Sequence, residues 1–409
     1  MFDIKKSNFN EIKSFFNELN FDESHFVNSN DICTPIDCVK EMVDSIPSSF
    51  WENKNLKILD SCCWNWNFHA YISQKTKLKN LYFNEINPIR LNNVKKIFWN
   101  DINITKKDFL TFENKEKYDL VVSNPPYAKF TDWKRTSKNH NMSRDFIKKA
   151  LEITKKDWYI LFIVPNNWMS YADRNKLPEI LSKYQFRHLN INGAKKWFPK
   201  VGSSFTWFLL QKSPNKEDFT IENHYKLQTI EKAKLNIWSK FIPLYYSNNV
   251  KTIFDKTINQ IKEKYNIETT SFLHRHTKKE LIQDEKNDLF KYKLIHTPNQ
   301  IVWSKIPHKY QKWYKVFIPL SNQYKPFIDN CWMTQSIAFI RCKNKQEAEQ
   351  IKKELENDIY LFLNNLTRYW NFNNVRILQN LPRLNTFKLS TKENQFITEF
   401  NNKYYNKKT

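Results

Sequence analysis

The chain has 409 residues and a formal net charge of +24, and its composition is 40% hydrophobic and 16% aromatic. This length suits two domains, the apolar content is enough for packed cores, and no apolar run approaches the roughly 20 residues that cross a bilayer. The charge predicts a polyanionic partner, nucleic acid before an acidic membrane surface, although Lys- and Asn-rich compositions also arise in AT-rich genomes.

The N-terminal sequence and the cysteines both favour a reduced, cytoplasmic protein. Residues 1–8 lack the apolar core of a signal peptide. The six cysteines form no Cys-x-x-Cys pair, and Cys62 and Cys63 are adjacent, which suits neither a zinc site nor a disulfide framework. We therefore expect reduced thiols, no metal site and no membrane segment.

Short apolar strands alternate with helical segments through the first half of the chain. A first helix is predicted at residues 35–46, because Pro35 suits the first helical position and Thr34 can cap it. Strands follow at 57–60, 81–85, 120–123, 159–164 and 188–192, and helices at 68–74, 88–98, 144–154 and 172–183. Such alternation predicts a mostly parallel sheet with helices on both faces.

A further strand at 206–212 follows the previous one without room for a crossover helix, so it is predicted to run antiparallel. After residue 213 the periodicity fades and the chain becomes charged and irregular, with an amphipathic helix predicted at 346–363. We therefore predict two domains, an α/β domain at 1–213 and an α+β domain at 214–409.

The strand at 120–123 is followed by Asn124-Pro125-Pro126-Tyr127, at the sheet edge where α/β proteins bind ligands. An aromatic amine is a poor nucleophile, and two acceptors facing its N–H groups localise the nitrogen lone pair. The Asn124 side chain and the Pro125 carbonyl can be those acceptors, because prolines fix the backbone direction and lack a competing N–H. Tyr127 offers a ring for stacking a base. The simpler interpretation is a Pro-Pro turn after a strand.

Three acids upstream of this motif suit a nucleoside-containing cofactor. Asp60 ends one predicted strand, and Glu85 ends the next, where dinucleotide-binding folds hold a ribose diol. Asp108 is a third acid, able to accept from an adenine amine. Each acid alone is often just a helix cap, but the ordered set before Asn124 favours a cofactor site.

These motifs resemble those of S-adenosylmethionine-dependent DNA adenine-N6 methyltransferases of restriction-modification systems, in which cofactor motifs precede the catalytic motif and a target recognition domain is C-terminal. The resemblance covers about residues 30–213 and, more loosely, 301–384. It implies a Rossmann-like methyltransferase fold, with a seven-stranded mostly parallel sheet containing one antiparallel strand, plus a C-terminal α+β target recognition domain. The implied activity is methyl transfer to adenine N6 by base flipping, with double-stranded DNA and a cognate restriction endonuclease as partners.

The resemblance also implies roles for single residues. The catalytic set is Asn124, Pro125, Pro126 and Tyr127. Phe198 is the first candidate for stacking the flipped base against Tyr127. Phe205 is the second candidate, although for Phe205 we favour a role as a core residue. The cofactor-binding set is Thr34, Asp60, Cys62, Glu85, Ile86, Asp108, Phe109 and Phe146. Phosphate contacts after the catalytic motif are implied for Lys134, Arg135, Lys138 and Arg144, for which a solvated loop is an equal alternative.

The loop after Asp60 departs from the pattern of that family. It reads Cys63-Trp64-Asn65-Trp66-Asn67, where small residues would let the backbone approach the cofactor. The chain holds 2 Gly and 14 Trp, against about 29 Gly at average usage. We hypothesise that a codon read as glycine in the source organism is rendered as Trp at several positions, namely 64, 66, 99, 158, 332 and 370.

Two alternative functions stay open. One keeps the fold and changes the methyl acceptor to RNA or a protein glutamine, since such enzymes also use Asn-Pro-Pro-Tyr, generally without this Thr-Pro motif and long basic extension. The other is a catalytically inactive DNA-binding relative, which follows if Trp64 and Trp66 are genuine and fill the cofactor site.

Overall fold

The computed structural model describes residues 3–21, 33–63, 66–98, 102–111, 113, 116–127, 130–131, 134–135, 142–171, 176–199, 204–224, 228–236, 239–310, 313–321, 323–369 and 372–405. The chain divides into two units. Unit 1 comprises Met1–Trp168 and Lys176–Ser239, and unit 2 comprises Met169–Asn175 and Lys240–Thr409.

A mixed sheet forms the centre of unit 1. The strands of this unit are β1 (Ile58–Asp60), β2 (Leu81–Asn84), β3 (Asn103–Thr105), β4 (Tyr118–Ser123), β5 (Phe130–Thr131), β6 (Lys134–Arg135), β7 (Thr154–Pro165), β8 (Tyr184–Ile191), β9 (Phe205–Pro214), β10 (Phe219–Asn223) and β11 (Thr229–Ala233). Among the described residues, β5 and β6 pair only with each other, and the other nine form one sheet in the order β11-β10-β8-β9-β7-β4-β1-β2-β3.

The pairing within this sheet confirms the predicted fold class. β3, β2, β1, β4 and β7 are parallel neighbours, and β9 runs antiparallel between β7 and β8. The central strands β1 and β4 are buried along their whole length, as parallel strands covered on both faces are. Two strands beyond the seven predicted, β10 and β11, extend the sheet past β8.

The helices of unit 1 are α1 (Phe9–Phe21), α2 (Ile36–Val43), α3 (Ser48–Trp51), α4 (Asn67–Ile72), α5 (Pro88–Phe98), α6 (Met142–Ile153) and α7 (Leu177–Leu181). The helix predicted to begin at Pro35 is α2, which begins one residue later. Pro35 stands at its N-cap, and no side chain caps it. α2 is held instead by its apolar face, which Ile36, Val39 and Val43 bury in the core of unit 1.

The predicted domain boundary at residue 213 falls inside unit 1. β9 continues to Pro214, and β10 pairs in parallel with β8 through residues 220–223. Because β10 and β11 complete the same sheet, unit 1 extends to Ser239.

Unit 2 combines two small sheets with helices. Its strands are β12 (Ile282–Gln283), β13 (Tyr292–Thr297), β14 (Gln300–Ser304), β15 (Tyr314–Pro319), β16 (Phe327–Asp329), β17 (Trp332–Met333) and β18 (Ile337–Cys342). They form one sheet in the order β12-β14-β13-β17 and another in the order β16-β15-β18. Its helices are α8 (Asn248–Phe254), α9 (Lys345–Leu355), α10 (Asp358–Asn365), α11 (Val375–Leu378) and α12 (Thr391–Tyr404).

The single helix predicted at 346–363 was wrong, because the chain forms two helices there. α9 ends at Leu355 and α10 begins at Asp358. Asn357 caps α10 by accepting a hydrogen bond from the Ile359 backbone N–H at 3.2 Å, and an Asn side chain favours such a break. No helix in the described part of the chain is long and apolar enough to cross a membrane.

Candidate functional site

The carboxyl ends of three adjacent parallel strands form the candidate site. β1 lies between β2 and β4, with Asp60 opposite Phe83 on one side and Val122 on the other. The polar residues that end or follow these strands therefore meet at one edge of the sheet. The Ser61 hydroxyl lies 2.9 Å from the Ser123 hydroxyl and ties the ends of β1 and β4 together.

Two buried carboxyl groups lie at this edge. Asp60 and Glu85 are 1% and 4% exposed, and Asp60 accepts a hydrogen bond from the Cys62 backbone N–H at 3.3 Å. Burial, together with the nearby charge of Glu85, raises the pKa of Asp60 to about 8. Asp108, which follows β3, is exposed, and its carboxylate accepts from the Leu110 backbone N–H at 3.0 Å. Carboxyl groups in this arrangement can accept hydrogen bonds from ligand hydroxyl groups and can pair with a cationic ligand group.

Asn84, which the sequence analysis did not single out, connects the loops that carry these acids. Its buried side-chain amide donates to the Ser61 and Lys107 carbonyls, each at 3.1 Å, and accepts from the Thr105 hydroxyl at 2.8 Å. One side chain thus joins the loop after β1 to the loop after β3. The signal for Asn84 in the sequence was an amide at the last position of a buried strand, directly before Glu85.

The other predicted cofactor residues lie around this edge in different environments. Phe109 and Phe146 are buried and stacked on each other, with ring centroids 5.2 Å apart. Thr34 is buried, and its carbonyl accepts from the Asn67 side chain, which joins the Thr-Pro motif to the start of α4. Burial raises the pKa of the Cys62 thiol, so it stays protonated. Ile86 is 61% exposed.

The loop after β1 holds a tryptophan in a conformation that favours glycine. Trp66 has φ 59° and ψ 21°, in the left-handed region, where a bulky residue is a genuine outlier. Its side chain is fully buried, and its indole N–H has no hydrogen-bond partner among the residues that the structure describes. Trp64 lies outside the described residues. The backbone at position 66 therefore agrees with the hypothesis that a glycine belongs there.

Two other tryptophans in that hypothesis lie in strands rather than loops. Trp158 is inside β7 and packs edge-on against Phe50 at 5.5 Å. Trp332 is buried in β17 and stacks on Tyr292 at 5.2 Å. Among the described residues, positive φ at a non-glycine position occurs at Trp66, Asp157 and Asn192, so the backbone does not favour glycine at 158 or 332. Positions 99 and 370 lie outside the described residues.

The Asn124–Tyr127 motif follows β4 directly. Asn124 is half-buried, Pro125 is buried and Pro126 is exposed. The Tyr127 hydroxyl donates a hydrogen bond to the Asn124 side-chain oxygen. Burial raises the pKa of Tyr127 well above its usual value, so the phenol stays a donor. An amine bound at Asn124 would take the place of this hydrogen bond.

Three aromatic rings, those of Tyr127, Phe205 and Phe198, form a row that begins at this motif. Tyr127 lies 5.9 Å from Phe205, and Phe205 lies 5.1 Å from Phe198, measured between ring centroids. Phe198 and Phe205 are both buried. The structure thus places Phe205, the second candidate for base stacking, next to Tyr127 and places Phe198 one ring farther along.

The four predicted phosphate contacts are described only in part. Lys138 lies outside the described residues. Lys134 and Arg135 form β6, which pairs with β5. Arg144, in α6, forms an ion pair with Asp145, with 3.0 Å between Nε and Oδ1.

Comparisons with known proteins agree on the kind of domain that carries this site. A family model described as Eco57I restriction-modification methylase matches residues 36–198. A tRNA1(Val) (adenine(37)-N6)-methyltransferase from Bacteroides thetaiotaomicron is 32% identical over 108 residues, which are 24% of this chain and 44% of that protein. Unit 1 has a Rossmann-like methyltransferase fold.

Two solved structures share the fold over nearly the whole chain. A nuclease-deletion mutant of the Type ISP restriction-modification enzyme LlaGI, in complex with a DNA substrate mimic, has a TM-score of 0.56 at 12% identity, covering 97% of this chain and 56% of LlaGI. The DrdV–DNA complex has a TM-score of 0.53 at 10% identity, covering 96% of this chain and 60% of DrdV. The chain therefore spans about half the length of the relatives it matches. The methylase match implies S-adenosylmethionine as the cofactor.

Glu41, in α2, is a further residue of unit 1 that the sequence did not reveal. Its carboxylate accepts from the indole N–H of Trp197 at 3.2 Å and of Trp207 at 3.3 Å, and it pairs with Lys196 at 2.6 Å. Trp197 directly precedes Phe198, and Trp207 lies in β9 two residues after Phe205. Glu41 therefore attaches α2 to the segment that carries Phe198 and to the strand that carries Phe205.

Replacing Glu41 with alanine should lower the free energy of unfolding by about 1–3 kcal/mol, because it leaves two indole N–H groups without their acceptor. Urea unfolding of the variant measures this loss. Glu41→Gln keeps one acceptor oxygen and should lose less. The exposed Glu52 is the matched control, and its alanine variant should stay within about 0.5 kcal/mol of the parent chain. Equal stability of the Glu41 and Glu52 variants would show that the carboxylate does not hold these segments.

Proposed function

We propose that this chain transfers a methyl group from S-adenosylmethionine to adenine N6 in double-stranded DNA, as the modification enzyme of a restriction-modification system. The observation that carries the proposal is the position of the Asn124–Tyr127 motif. It follows β4, and β4 is the parallel neighbour of the strand that ends in the buried Asp60. The Asn124 amide and the buried carboxyl group of Asp60 therefore lie at one edge of the sheet, which supports the proposal that an aromatic amine and the cofactor meet there.

The side chains at this edge fit the proposed cofactor in their chemistry. S-adenosylmethionine supplies the methyl group on a positively charged sulfur and also carries an amino group and a ribose diol. Asp60 would hold the amino group and Glu85 the ribose hydroxyls, since buried carboxylates accept strongly from such donors. Thr34, Cys62, Ile86, Asp108, Phe109 and Phe146 complete the proposed cofactor set.

The catalytic residues act mainly by accepting hydrogen bonds. Adenine N6 is paired inside a duplex, so the base must leave the stack before it can reach Asn124. The Asn124 side-chain oxygen and the Pro125 carbonyl would then accept hydrogen bonds from the two N–H groups of the adenine amine. These hydrogen bonds would localise the lone pair on the amine nitrogen. Tyr127, with Phe198 or Phe205, would hold the ring of the extruded base.

A second candidate keeps the reaction and changes the acceptor. The similarity to a tRNA adenine-N6 methyltransferase favours RNA as that alternative, although it covers 24% of this chain. Protein-glutamine methyl transfer stays a weaker alternative, and an inactive DNA-binding relative follows if the indole at position 66 is genuine and excludes the cofactor.

Incorporation of tritium from labelled S-adenosylmethionine distinguishes these acceptors. The chain should label unmodified genomic DNA and leave a tRNA pool and a peptide-release factor unlabelled. Labelling of tRNA alone would overturn the proposal in favour of RNA. Sequencing-based detection of methyladenine in DNA from an expressing strain would then give the recognised site, and a cognate restriction endonuclease is the expected partner enzyme at that site.

Asp60 should release a proton when the cofactor binds. With its pKa raised to about 8, the carboxyl group is mostly protonated at pH 7, and a bound ammonium group favours its ionised form. The affinity for S-adenosylmethionine should therefore rise with pH toward about 8, by at most about tenfold per pH unit. Calorimetry at pH 7 in two buffers of different ionisation enthalpy measures the released proton. Asp60→Asn should bind without proton release, and buffer-independent heats for the parent chain would exclude this role.

A further inference from the structure

Unit 2 carries two neighbouring aromatic side chains that are open to solvent. Trp313 and Tyr314, at the start of β15, are 41% and 37% exposed. Exposed large aromatics that lie together mark interaction sites more often than isolated ones do. The cations around Trp313 indicate what kind of partner this surface suits.

The Arg341 guanidinium lies beside two rings of this surface. Its guanidinium carbon is 5.6 Å from the ring centroid of Tyr310 and 5.6 Å from that of Trp313, and the two rings are 6.5 Å apart. The Arg341 Nε donates to Glu268 at 2.6 Å. Ring faces and a carboxylate thus hold the guanidinium in place, while its two terminal amino groups add further donors. Lys309, which is exposed, places its ammonium 4.8 Å from the Tyr310 ring.

A buried lysine anchors the backbone of this surface. Lys315, one strand across from Arg341, is fully buried, and its ammonium group donates to the Trp313 carbonyl and, at 3.1 Å, to the Asn330 carbonyl. These bonds fix the backbone of Trp313 against the turn between β16 and β17. The exposed indole therefore stands on an ordered support, which lowers the entropy cost of binding a partner.

The charge of unit 2 matches a polyanion. Residues 240–409 contain 29 Lys and Arg against 15 Asp and Glu. Aromatic faces beside Arg and Lys are the combination that binds nucleic acids, because rings stack on bases and sugars while the cations contact phosphates. We propose that Tyr310, Trp313 and Arg341, with Lys309, form a DNA-binding surface of unit 2. This proposal rests on the proposed function and adds to it the residues that hold the substrate.

Fluorescence anisotropy of the full chain with a labelled 40-base-pair random-sequence duplex tests the surface. Trp313→Ala should bind about tenfold more weakly, as expected for loss of an aromatic stack. Arg341→Lys, which keeps the charge and loses the flat guanidinium, should also weaken binding. Lys309→Ala should reduce the slope of log Kd against log salt by about one. The matched control is Phe372→Ala, which removes an aromatic side chain that is 59% exposed and should bind like the parent chain.

Two further measurements separate this surface from the catalytic proposal. Thermal unfolding and S-adenosylmethionine binding of Trp313→Ala should match the parent chain, and its methylation defect should be a raised KM for DNA. If the parent chain methylates DNA and Trp313→Ala binds the duplex equally well, the surface proposal is overturned while the proposed function stands. If the parent chain methylates no DNA but Trp313→Ala still loses duplex binding relative to Phe372→Ala, the surface stands without that activity.

Discussion

Replacing Trp66 with glycine should tighten binding of S-adenosylmethionine by at least about tenfold, or ~1.4 kcal/mol. The buried indole occupies the loop that follows Asp60, where the cofactor is expected to lie. Glycine removes that side chain and adopts the left-handed backbone without strain. Titration calorimetry of the parent chain and Trp66→Gly measures the difference.

The stability of the same variant separates a misplaced indole from an ordinary core residue. Removing a buried Trp normally costs about 3–5 kcal/mol. At position 66 the variant also relieves a left-handed conformation worth about 1–2 kcal/mol and removes an unpartnered indole N–H worth about 1–3 kcal/mol. The net loss for Trp66→Gly should therefore stay below about 3 kcal/mol.

Trp168→Gly is the control for this comparison. Trp168 is equally buried and packs against Phe208 at 5.3 Å, and its φ is not positive. Its replacement should show the larger loss, because it relieves no left-handed backbone strain. Trp66→Ala, which vacates the space but keeps a Cβ in the left-handed conformation, should be less stable than Trp66→Gly. If Trp66→Gly is as unstable as Trp168→Gly and binds no more cofactor, the indole at position 66 is genuine. Mass spectrometry of the protein from its source organism would give the residue directly.

Replacing Asn124 with alanine should lower methyl transfer to DNA by about a hundredfold to a thousandfold or more, while cofactor binding stays unchanged. The side-chain oxygen of Asn124 is the proposed acceptor that localises the lone pair of the adenine amine. The residue is half-buried after β4, and the pair of buried acids belongs to the neighbouring strand ends, so its loss should spare the cofactor site. Tritium incorporation and calorimetry measure the two effects.

Two variants of Tyr127 refine this prediction. Tyr127→Ala should weaken capture of the extruded base by ~1–3 kcal/mol, the contribution of a base–aromatic stack. Tyr127→Phe keeps the ring and removes the hydroxyl that now donates to Asn124, so it should retain base capture. Normal turnover in Asn124→Ala, with unchanged unfolding behaviour, would refute the proposed mechanism.

The sequence predicted those elements of the fold that local sequence patterns encode. The strand ends at Asp60 and Ser123 were placed correctly, because buried parallel strands are short apolar runs with a polar residue at the end. The antiparallel direction of β9 was predicted correctly, because the connection from the preceding strand is too short for a crossover helix. The break between α9 and α10 was missed, since the apolar periodicity continues across the Asn357 cap.

Local sequence features were enough to predict the class of sheet, the order of the acids and the position of Asn124–Tyr127 along the chain. Which distant side chains meet became visible in the folded chain alone. Glu41 binds indoles 156 and 166 residues away, and the Arg341 guanidinium lies beside two rings contributed by a preceding loop. The left-handed backbone of Trp66, at the N-cap of α4, is likewise visible only in the folded chain. Such contacts depend on the packing of whole elements, which no single stretch of sequence encodes.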